Sequence, residues 1–582
     1  MTSNERYKFW LENDYFDEQT KAELASIKDD PKEIEERFYK DLAFGTGGLR
    51  GIIGAGTNRM NIYTVRKASQ GLANYLLKTD DNVKKQGIVI AYDCRHKSFE
   101  FSLEAAKIFA GNGIRAYLFD ELRPTPELSF AVRYLDAAAG IVVTASHNPS
   151  IYNGYKVYGE DGGQLSVSYT NEVLKEIDNL DDITSVDFIE KDDAIEKGLL
   201  LYIGKEIDSA YINSLKTLSI NPELIEKVSD SFEIVYTPLH GTGNKPVRRV
   251  LSEIGFKNVL VVKEQELPDP DFSTVKYPNP EDKASFKIAI ELAKKEDVDL
   301  IIGTDPDADR LGVVVKNNEG DYIMLSGNQV GCLFMEYILS QKKKKGGIPP
   351  NGFVIKTIVT TELARKIAEY YEVEMVEVLT GFKFIGEQIK LLDEMGDKKY
   401  LFGFEESYGY LMGTFVRDKD AVVASMFVGE MAAYYKSKNM SLYEGLHEIY
   451  KKYGYAQDFI KSYWVEGKEG LEKIKNTMNC LRNEKHNSFG DFEVLAIRDY
   501  LKGERIELAT DERSELFLPK SNVMYYEMKD GSWFCVRPSG TEPKIKLYFG
   551  VEEQSLEKSK NKLEMFTKNV LNTIETLLNK DQ

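Results

Sequence analysis

Three aspartates at alternate positions in the segment Asp305–Arg310 (DPDADR) are the strongest chemical signal in the sequence. Three carboxylates in one loop repel each other unless a cation neutralises them, and their oxygens suit a hard divalent ion. An EF-hand loop would need glycine and glutamate where this chain has Arg310 and Lys316. Because no histidine or cysteine lies nearby, the loop predicts Mg²⁺ rather than zinc, with a solvated acidic turn as the alternative.

A serine that could act as a nucleophile follows a different apolar run. The segment Thr144–Pro149 (TASHNP) places Ser146 and His147 directly after Gly140–Thr144 (GIVVT). The surroundings are not G-x-S-x-G, so the nucleophile elbow of α/β-hydrolases is not indicated. Taken alone, the segment fits a turn whose polar side chains satisfy backbone groups, and a catalytic role depends on its context.

The segment Arg537–Lys544 (RPSGTEPK) has the composition of a phosphate-binding loop. Arg537 offers a bidentate fork, Ser539 and Thr541 offer hydroxyls, and Gly540 lets the backbone approach an anion. A plain hairpin turn is the alternative. It would explain the glycine and prolines but not the density of donors.

Two weaker segments predict contacts to a sugar. In Gly403–Gly409 (GFEESYG), Glu405 and Ser407 could bond to adjacent hydroxyl groups of a sugar. Thr380–Lys383 (TGFK) could line the same ligand site. A turn or a helix cap explains the first segment equally well.

A glycine-rich segment near the N-terminus, Gly45–Gly51 (GTGGLRG), matches neither the Walker A pattern nor G-x-G-x-x-G. We therefore give nucleotide binding little weight. Arg50 remains a candidate cation for a reacting phosphate.

The elements that must position these residues are short apolar runs alternating with amphipathic stretches, which is typical of α/β layering. The expected strands are 87–91, 140–144, 232–236, 299–303, 353–357 and 400–404, and the expected helices are 101–110, 284–295, 361–371 and 556–578. Several strands lead directly into the polar turns described above. Ligands bind outside the carboxyl ends of strands in open α/β sheets, so these turns are well placed for chemistry.

Length and composition limit the function classes. The 582 residues exceed one hydrophobic core, and 42% hydrophobic content supports several. A net charge of -18 argues against a nucleic-acid surface, and no apolar run is long enough to span a bilayer. Four scattered cysteines and a polar N-terminus predict a soluble cytoplasmic protein without membrane partners. We expect four domains, at 1–205, 206–322, 323–455 and 456–582.

In this order, TASHNP, DPDADR, GFEES and RPSGTEPK resemble the motifs of the α-D-phosphohexomutases. The length and the opening FGTGGLRG are most similar to the branch that contains phosphoglucomutases, phosphopentomutases and glucose-1,6-bisphosphate synthases. The resemblance implies an α/β fold in which three similar mixed α/β domains and a C-terminal α+β domain surround a central cleft.

The resemblance also implies a role for each matching residue. Ser146 would be the phosphoserine and, through its phosphate, would share one Mg²⁺ with Asp305, Asp307 and Asp309. Arg50, His147 and Arg310 would surround the reacting group, and Lys156 would transfer a proton. The substrate would contact Arg310, Thr380, Gly381, Lys383, Glu405, Ser407, Arg537, Ser539, Gly540, Thr541 and Lys544.

The implied enzyme is an isomerase that interconverts glucose 1-phosphate and glucose 6-phosphate through a phosphoserine and glucose 1,6-bisphosphate, as a monomer or weak homo-oligomer. Lys156 would need a lowered pKa to accept a proton, which we expect a crowded cationic pocket to supply. Many relatives read Glu-x-Ser-Gly-His in the sugar loop, whereas this chain continues from Ser407 with Tyr408 and Gly409. A phosphopentomutase or a bisphosphate synthase therefore stays an alternative, as do a metal-dependent sugar phosphatase and an inactive sugar-phosphate sensor.

Overall fold

The computed structural model describes residues 1–45, 47–80, 82–180, 183–465, 468–539 and 544–579. It begins with three helices: α1 (Ser3–Glu12), α2 (Glu18–Ser26) and α3 (Pro31–Phe38). The side chains of Thr2, Asp17 and Asp30 cap their N-termini. Trp10 stacks on Phe16 with 4.4 Å between the ring centroids, so aromatic packing holds α1 against the connection that leads into α2.

The first sheet has six strands in the order β1-β5-β4-β2-β3-β6. Strands β4, β2, β3 and β6 run parallel, and β5 is antiparallel to both β4 and β1. Its elements are β1 (Gly48–Ile52), α4 (Ile62–Thr79), α5 (Val83–Gln86), β2 (Ile88–Tyr92), α6 (Ser98–Gly111), β3 (Ala116–Phe119), α7 (Thr125–Tyr134), β4 (Ala139–Val143), β5 (Tyr152–Gly159), α8 (Val167–Asp178), a 3₁₀ turn (Ile183–Ser185), α9 (Lys191–Glu196) and β6 (Leu200–Ile203).

The second sheet has five strands in the order β11-β10-β9-β7-β8. Strands β9, β7 and β8 are parallel, and β10 is antiparallel to its neighbours. The elements are α10 (Lys205–Lys216), α11 (Pro222–Val228), β7 (Glu233–Thr237), α12 (Asn244–Glu253), β8 (Asn258–Val261), α13 (Lys263–Glu266), a 3₁₀ turn (Lys283–Phe286), α14 (Lys287–Glu296), β9 (Leu300–Thr304), β10 (Leu311–Lys316) and β11 (Tyr322–Leu325).

The third region again alternates strands and helices. Strands β12 and β13 pair in parallel, whereas β14 and β15 form an antiparallel hairpin. The elements are α15 (Gly327–Lys345), β12 (Gly352–Thr357), α16 (Leu363–Tyr370), β13 (Glu374–Val378), α17 (Phe382–Met395), β14 (Lys399–Glu405), β15 (Gly409–Leu411), α18 (Ala421–Lys436) and α19 (Leu442–Tyr453).

The C-terminal region is an antiparallel sheet in the order β16-β23-β22-β21-β18-β19-β20, with β17 paired to β18. One face packs against α20 and α21 through residues such as Met478 and Phe566. The elements are β16 (Tyr455–Trp464), α20 (Lys468–Asn483), β17 (Ser488–Phe489), β18 (Phe492–Asp499), β19 (Glu504–Glu507), β20 (Glu512–Glu515), β21 (Met524–Met528), β22 (Trp533–Pro538), β23 (Lys544–Glu553) and α21 (Leu556–Asn579).

The chain divides into two compact units. The first comprises 1–327 and 385–442, and the second comprises 328–384 and 443–582. Within the described residues, no helix is both long enough and apolar enough to cross a membrane.

Candidate active site

Ser146 lies just beyond the buried strand β4, in a turn that aims its hydroxyl at the aspartate loop. Its backbone has φ 49°, and only 4% of the residue is exposed. The backbone N–H of Ser146 donates to Thr144 Oγ1 at 2.9 Å, which fixes the turn. Ser146 Oγ donates to Asp307 Oδ2 at 3.1 Å, so two segments far apart in the sequence meet at one point.

The three aspartates lie in the loop between β9 and β10. Asp305, Asp307 and Asp309 are all buried, and each offers a carboxylate oxygen within 4.8 Å of the other two. Asp305 Oδ1 accepts the backbone N–H groups of Asp309 and Arg310 at 3.0 Å each, which closes the loop on itself. Ala308 has φ 50°, and this tight turn puts the three side chains on one side.

One oxygen of each aspartate has no hydrogen-bond donor in the part of the chain that the structure describes. These oxygens are Asp305 Oδ2, Asp307 Oδ1 and Asp309 Oδ1. Buried carboxylate oxygens without donors are costly unless a cation binds them. Among the described residues, this ligand group consists of three aspartates and contains neither cysteine nor histidine, and three hard oxygen ligands fit Mg²⁺.

Two lysines neutralise part of this acidic group. Lys156 Nζ donates to Asp307 Oδ2 at 2.7 Å, and Lys419 Nζ lies 3.2 Å from Asp309 Oδ2. Burial works to raise the pKa of Asp309, but the two ammonium groups hold it below its ordinary value. For Lys156, burial disfavours the charged amine, yet the carboxylates of Asp307 and Asp309 raise its pKa. The prediction that the pocket lowers the pKa of Lys156 is therefore wrong for this arrangement, because the aspartates outweigh the cations around it.

Sequence reasoning missed two residues that contact the aspartates. Thr125, at the start of α7, donates its hydroxyl to Asp307 Oδ2 at 3.0 Å, and its N–H donates to the Asp307 carbonyl at 2.9 Å. Lys419 was also missed, although it stands in a charged run, Arg417–Asp420, that follows an apolar strand. Nothing in the sequence around Thr125 marks it, because its partner lies 182 residues away.

The predicted cations Arg50 and Arg310 belong to the same compact unit. Arg50 is on β1 with an exposed side chain, and its Nη1 donates to Asn148 Oδ1 at 3.3 Å. The Arg310 guanidinium bonds to Glu281, and its Nε lies 3.9 Å from Asp309 Oδ1. His147, next to Ser146, is half-buried. The structure thus brings Arg50 to the serine loop and Arg310 to the aspartate loop.

Glu405 ends strand β14 and is nearly fully buried. Burial raises its pKa to about 7; Glu406 adds to this, while Lys419 and Arg310 oppose it. Ser407 follows in the β14–β15 turn, where its hydroxyl donates to Glu406 Oε1 at 3.3 Å. The predicted sugar loop is therefore in the compact unit that contains Ser146. The carboxyl group of Glu405 is influenced by Lys419 and Arg310, the cations that also lie beside Asp309.

The remaining predicted residues belong to the second unit. Arg537 is the residue before the last one of β22, and the Ser539 N–H donates to the Lys544 carbonyl at 2.7 Å, where β22 and β23 meet. Lys544 Nζ lies 4.5 Å from the ring centroid of Trp464. Gly540 and Thr541 lie outside the described residues.

The Thr380–Lys383 segment connects β13 to α17. Gly381 has φ 121°, a conformation that strongly favours glycine. Leu379 and Phe384, which flank the segment, pack on the sheet of the C-terminal region beside Trp533 and Tyr548. The segment and the Arg537–Lys544 hairpin therefore belong to one packed unit. The Lys383 ammonium lies 4.9 Å from the Phe384 ring centroid.

Comparison with known proteins identifies the family. Models of the four phosphoglucomutase/phosphomannomutase domains match in order: α/β/α domain I at 41–184, domain II at 209–320, domain III at 326–453 and the C-terminal domain at 482–562. The chain belongs to the phosphoglucomutase/phosphomannomutase family. A Staphylococcus epidermidis protein named phosphoglucomutase is 40% identical over 518 residues, covering 89% of this chain and 92% of the relative. A phosphoglucomutase from Staphylococcus saprophyticus is 37% identical over 97% of this chain and 99% of its own length.

Solved structures show the same fold at lower identity. A Thermus thermophilus protein described as a putative phosphomannomutase superposes with a TM-score of 0.66 at 22% identity, covering 91% of this chain and 99% of that one. The open form of parafusin, a phosphoglucomutase from Paramecium, gives 0.67 at 17% identity, covering 94% and 97%.

Family membership confirms three of the predictions from sequence. The fold has mixed α/β sheets in three domains and a distinct C-terminal domain. The motifs identified the α-D-phosphohexomutase superfamily correctly. The chain is an isomerase-type phosphotransferase, and its buried aspartate group fits the metal ion that this superfamily implies.

Proposed function

We propose that the protein interconverts glucose 1-phosphate and glucose 6-phosphate, with Ser146 as the phosphoryl carrier. The observation that carries the proposal is the 3.1 Å contact between Ser146 Oγ and Asp307 inside the buried aspartate group. Relatives with about 40% identity over most of the chain are named phosphoglucomutase, which supports glucose as the sugar. The acyl-transfer elbow is absent here, so phosphoryl transfer is the chemistry that suits this serine.

In the first half-reaction, the phosphoryl group of phospho-Ser146 passes to the free 6-hydroxyl of glucose 1-phosphate. The bond from Ser146 Oγ to phosphorus breaks, and a bond from phosphorus to the sugar oxygen forms. The product, glucose 1,6-bisphosphate, turns over so that its 1-phosphate faces Ser146. That phosphoryl group then returns to Ser146 Oγ, and glucose 6-phosphate leaves.

The aspartate loop is the proposed site of one Mg²⁺ per chain, which Asp305, Asp307 and Asp309 would hold together with the phosphate on Ser146. The ion would neutralise the carboxylates and the oxygens of the transferring group. Arg50, Arg310 and His147 would surround the same centre and hold the phosphoryl group in line with the attacking oxygen.

Lys156 is the proposed proton carrier. Its pKa is raised in this arrangement by Asp307 and Asp309, while burial and the nearby Lys419 and Arg50 work in the opposite direction. When the charge of the two aspartates is neutralised, burial and the cations favour the neutral amine. Lys156 can then take the proton of the sugar hydroxyl and return it in the second half-reaction.

The second unit supplies the proposed contacts to the phosphate that does not react. Arg537, Ser539, Gly540, Thr541 and Lys544 would bind it, which explains why the chain has a phosphate-compatible loop besides the reactive centre. Glu405 and Ser407, with Thr380, Gly381 and Lys383, would bind the sugar. Among the described residues the four cysteines, Cys94, Cys332, Cys480 and Cys535, are thiols rather than disulfides, which is compatible with the reducing cytoplasm, where we place the enzyme.

A substrate panel tests the proposal. Glucose 1-phosphate, mannose 1-phosphate and ribose 1-phosphate are each supplied with Mg²⁺ and catalytic glucose 1,6-bisphosphate, and isomer and free phosphate are quantified. We expect glucose 1-phosphate to give the highest kcat/KM with no stoichiometric phosphate release. Faster turnover of ribose 1-phosphate would favour the pentose alternative, which the altered sugar loop at Tyr408 and Gly409 keeps open. Phosphate release matching substrate loss would identify a phosphatase.

The role of Ser146 has its own test. Incubation with glucose 1,6-bisphosphate should add the mass of one phosphate, mapped to Ser146. Ser146→Ala should lose this phosphate and more than about 1,000-fold of the activity. Ser150→Ala, four residues along the same loop, is the matched control and should keep both. Full mutase activity in Ser146→Ala would contradict the proposal.

A further inference from the structure

The turn that presents Ser146 is in a conformation that needs outside support. A non-glycine residue at φ 49° is in the left-handed region, and such backbone strain costs on the order of 1 kcal/mol or more. The amide N–H of Ser146 donates to the side chain of a neighbouring residue, at Thr144 Oγ1. The Ser146 hydroxyl contacts Asp307, and further support for the backbone of the turn comes from Arg95, which follows strand β2.

Arg95 binds four backbone carbonyls of the serine loop with one guanidinium group. Its Nη2 donates to the carbonyls of Ser146 at 2.6 Å and Asn148 at 2.5 Å. Its Nη1 donates to those of Pro149 at 2.8 Å and Tyr152 at 3.1 Å. The side chain has no exposed surface. A rigid fork that satisfies four carbonyls of one loop fixes the path of the backbone on both sides of the nucleophile.

Asp93 balances the buried charge and extends the network to the Ser146 amide. Asp93 Oδ2 lies 3.2 Å from Arg95 Nε and accepts the Thr144 hydroxyl at 2.6 Å. Thr144 Oγ1 in turn accepts the Ser146 N–H. Ser98 donates its hydroxyl to Asp93 Oδ1 at 2.7 Å. Arg95 therefore binds the carbonyl of Ser146, Thr144 binds its amide, and both Arg95 and Thr144 contact Asp93.

A loop of the second domain packs against this network. The Phe272 ring centroid lies 4.9 Å from the Arg95 guanidinium carbon. Phe272 is itself at φ 50°, in a turn built on Asp269, whose carboxylate accepts the N–H groups of Asp271 at 3.0 Å and Ser273 at 2.9 Å. Asp271 also contacts His96 at 2.7 Å. Two strained turns, one from each domain, thus meet at Arg95.

We propose that Arg95, capped by Phe272, is a positioning residue for phosphoryl transfer. It holds the Ser146 turn so that Oγ faces the aspartate loop, and the cap ties this geometry to the domain that carries Asp305–Asp309. The inference rests on the proposed role of Ser146 as phosphoryl carrier. Arg95 acts through the backbone of the serine loop and touches no reacting atom. Its loss therefore affects the transfer step rather than the binding of the sugar.

Arg95→Lys is the principal test, because lysine keeps the charge but has three N–H groups for four carbonyls. Phosphoenzyme is prepared with glucose 1,6-bisphosphate, and the phosphorylated fraction is measured by intact mass. The single-turnover rate of transfer to glucose 1-phosphate should fall about 100-fold, the cost of a misplacement near 1 Å. KM should stay within about twofold of the wild-type value, since the substrate contacts are unchanged. Arg115→Lys, a half-buried arginine of the same domain that bonds to Tyr117 and the Lys85 carbonyl, is the control and should match wild type.

Phe272→Leu keeps the proposal testable if Arg95→Lys does not fold. Leucine retains apolar cover but removes the ring face over the guanidinium, and the transfer rate should fall about threefold to tenfold. A purely structural role predicts instead a smaller active fraction and a lower Tm, with a wild-type transfer rate in the molecules that are phosphorylated. That result, or an unchanged rate in both variants, would overturn the positioning role. If wild-type Ser146 accepts no phosphate, the proposed function fails first and separately.

Discussion

At the level of single residues, the two oxygens of each aspartate in the loop have different surroundings: one accepts hydrogen bonds or ion pairs, and the other has no hydrogen-bond donor among the described residues. Asp307 Oδ2 receives the hydroxyls of Ser146 and Thr125 and the ammonium of Lys156, whereas Oδ1 receives no donor from the described residues. Because donors hold one oxygen, the other keeps a fixed direction toward the proposed metal. We therefore expect Thr125 to orient Asp307 as a proposed metal ligand, by donating to its other oxygen.

We predict that Thr125→Val weakens Mg²⁺ binding by about tenfold, because loss of a partner that orients a ligand typically costs 10–100-fold in affinity. Valine has nearly the same shape, so Asp307 loses a donor while the packing is kept. The measurement is activity against Mg²⁺ concentration, with kcat near wild type at saturation. Thr170→Val is the control, since Thr170 is also buried but its hydroxyl donates to the carbonyl of Ser166, the residue that caps α8. An unchanged Mg²⁺ response would rule out the orienting role of Thr125.

The sequence marks the aspartates but not their donors, for a physical reason. Carboxylates at alternate positions are visible as a local motif, because their mutual repulsion is itself the signal. Thr125 and Lys419 are recognisable only when the strands that precede them have packed, since each contacts a loop more than 100 residues away. The prediction of a lowered pKa for Lys156 is wrong for the same reason, since the charges that raise this pKa belong to the distant aspartate loop.

At the level of elements, the chemistry stands at the ends of buried strands. Strand β4 leads to Ser146, β9 to Asp305 and β14 to Glu405. Each of these strands was predicted to within one residue at either end, because a short apolar run of strand length that is bounded by a polar turn favours a buried strand. The predicted helix 284–295 instead begins as a 3₁₀ turn and becomes α14 only at Lys287. The Asp282 side chain caps this turn, and the spacing of apolar residues does not show where a 3₁₀ turn gives way to an α-helix.

Helix α18 depends on a buried carboxyl group at its N-terminus, and this makes stability depend on pH. Asp420 accepts the N–H groups of Val422 and Val423 at 2.9 Å and the Tyr211 hydroxyl at 2.8 Å. Burial raises its pKa to about 6, although these three donors favour the charged form. The folded protein therefore binds the Asp420 proton more tightly than the unfolded chain. Stability from this group is present below about pH 4 and is lost as pH rises through about 6.

We predict that Asp420→Asn removes this pH dependence, because an amide keeps the capping oxygen and does not ionise. Between pH 4 and pH 8, the free energy of unfolding of the variant should gain up to about 3 kcal/mol relative to wild type, the equivalent of two pH units. Urea unfolding at several pH values measures it. Asp30→Asn changes an exposed cap on α3 and serves as the control. A constant difference between Asp420→Asn and wild type across this range would disprove the assignment.

At the scale of the whole molecule, the proposed metal ligands and the proposed phosphate loop belong to different compact units. The first unit, 1–327 with 385–442, contains Ser146, the aspartate loop and Lys419. The second, 328–384 with 443–582, contains Arg537, Ser539 and Lys544. Both units are discontinuous in sequence, which is why the predicted boundaries at 323 and 455 could not anticipate this grouping. Proteins with several cores need not unfold in one step, so a ligand can stabilise one unit by itself.

We predict that Mg²⁺ protects the first unit and leaves the second unchanged in hydrogen exchange. At about 100 times the dissociation constant, binding adds about 2.7 kcal/mol to the opening free energy, so amides that exchange through opening of the first unit should slow about 100-fold. Peptides from β4, β9 and α18 report on the first unit, and peptides from β12 and β16 report on the second. Asp309→Ala should lose the response in the first unit, because it removes a proposed ligand whose Oδ1 accepts no hydrogen bond from the described residues. Equal slowing of β12 and β16 would show instead that the two units open together, and that the metal stabilises the molecule as one cooperative body.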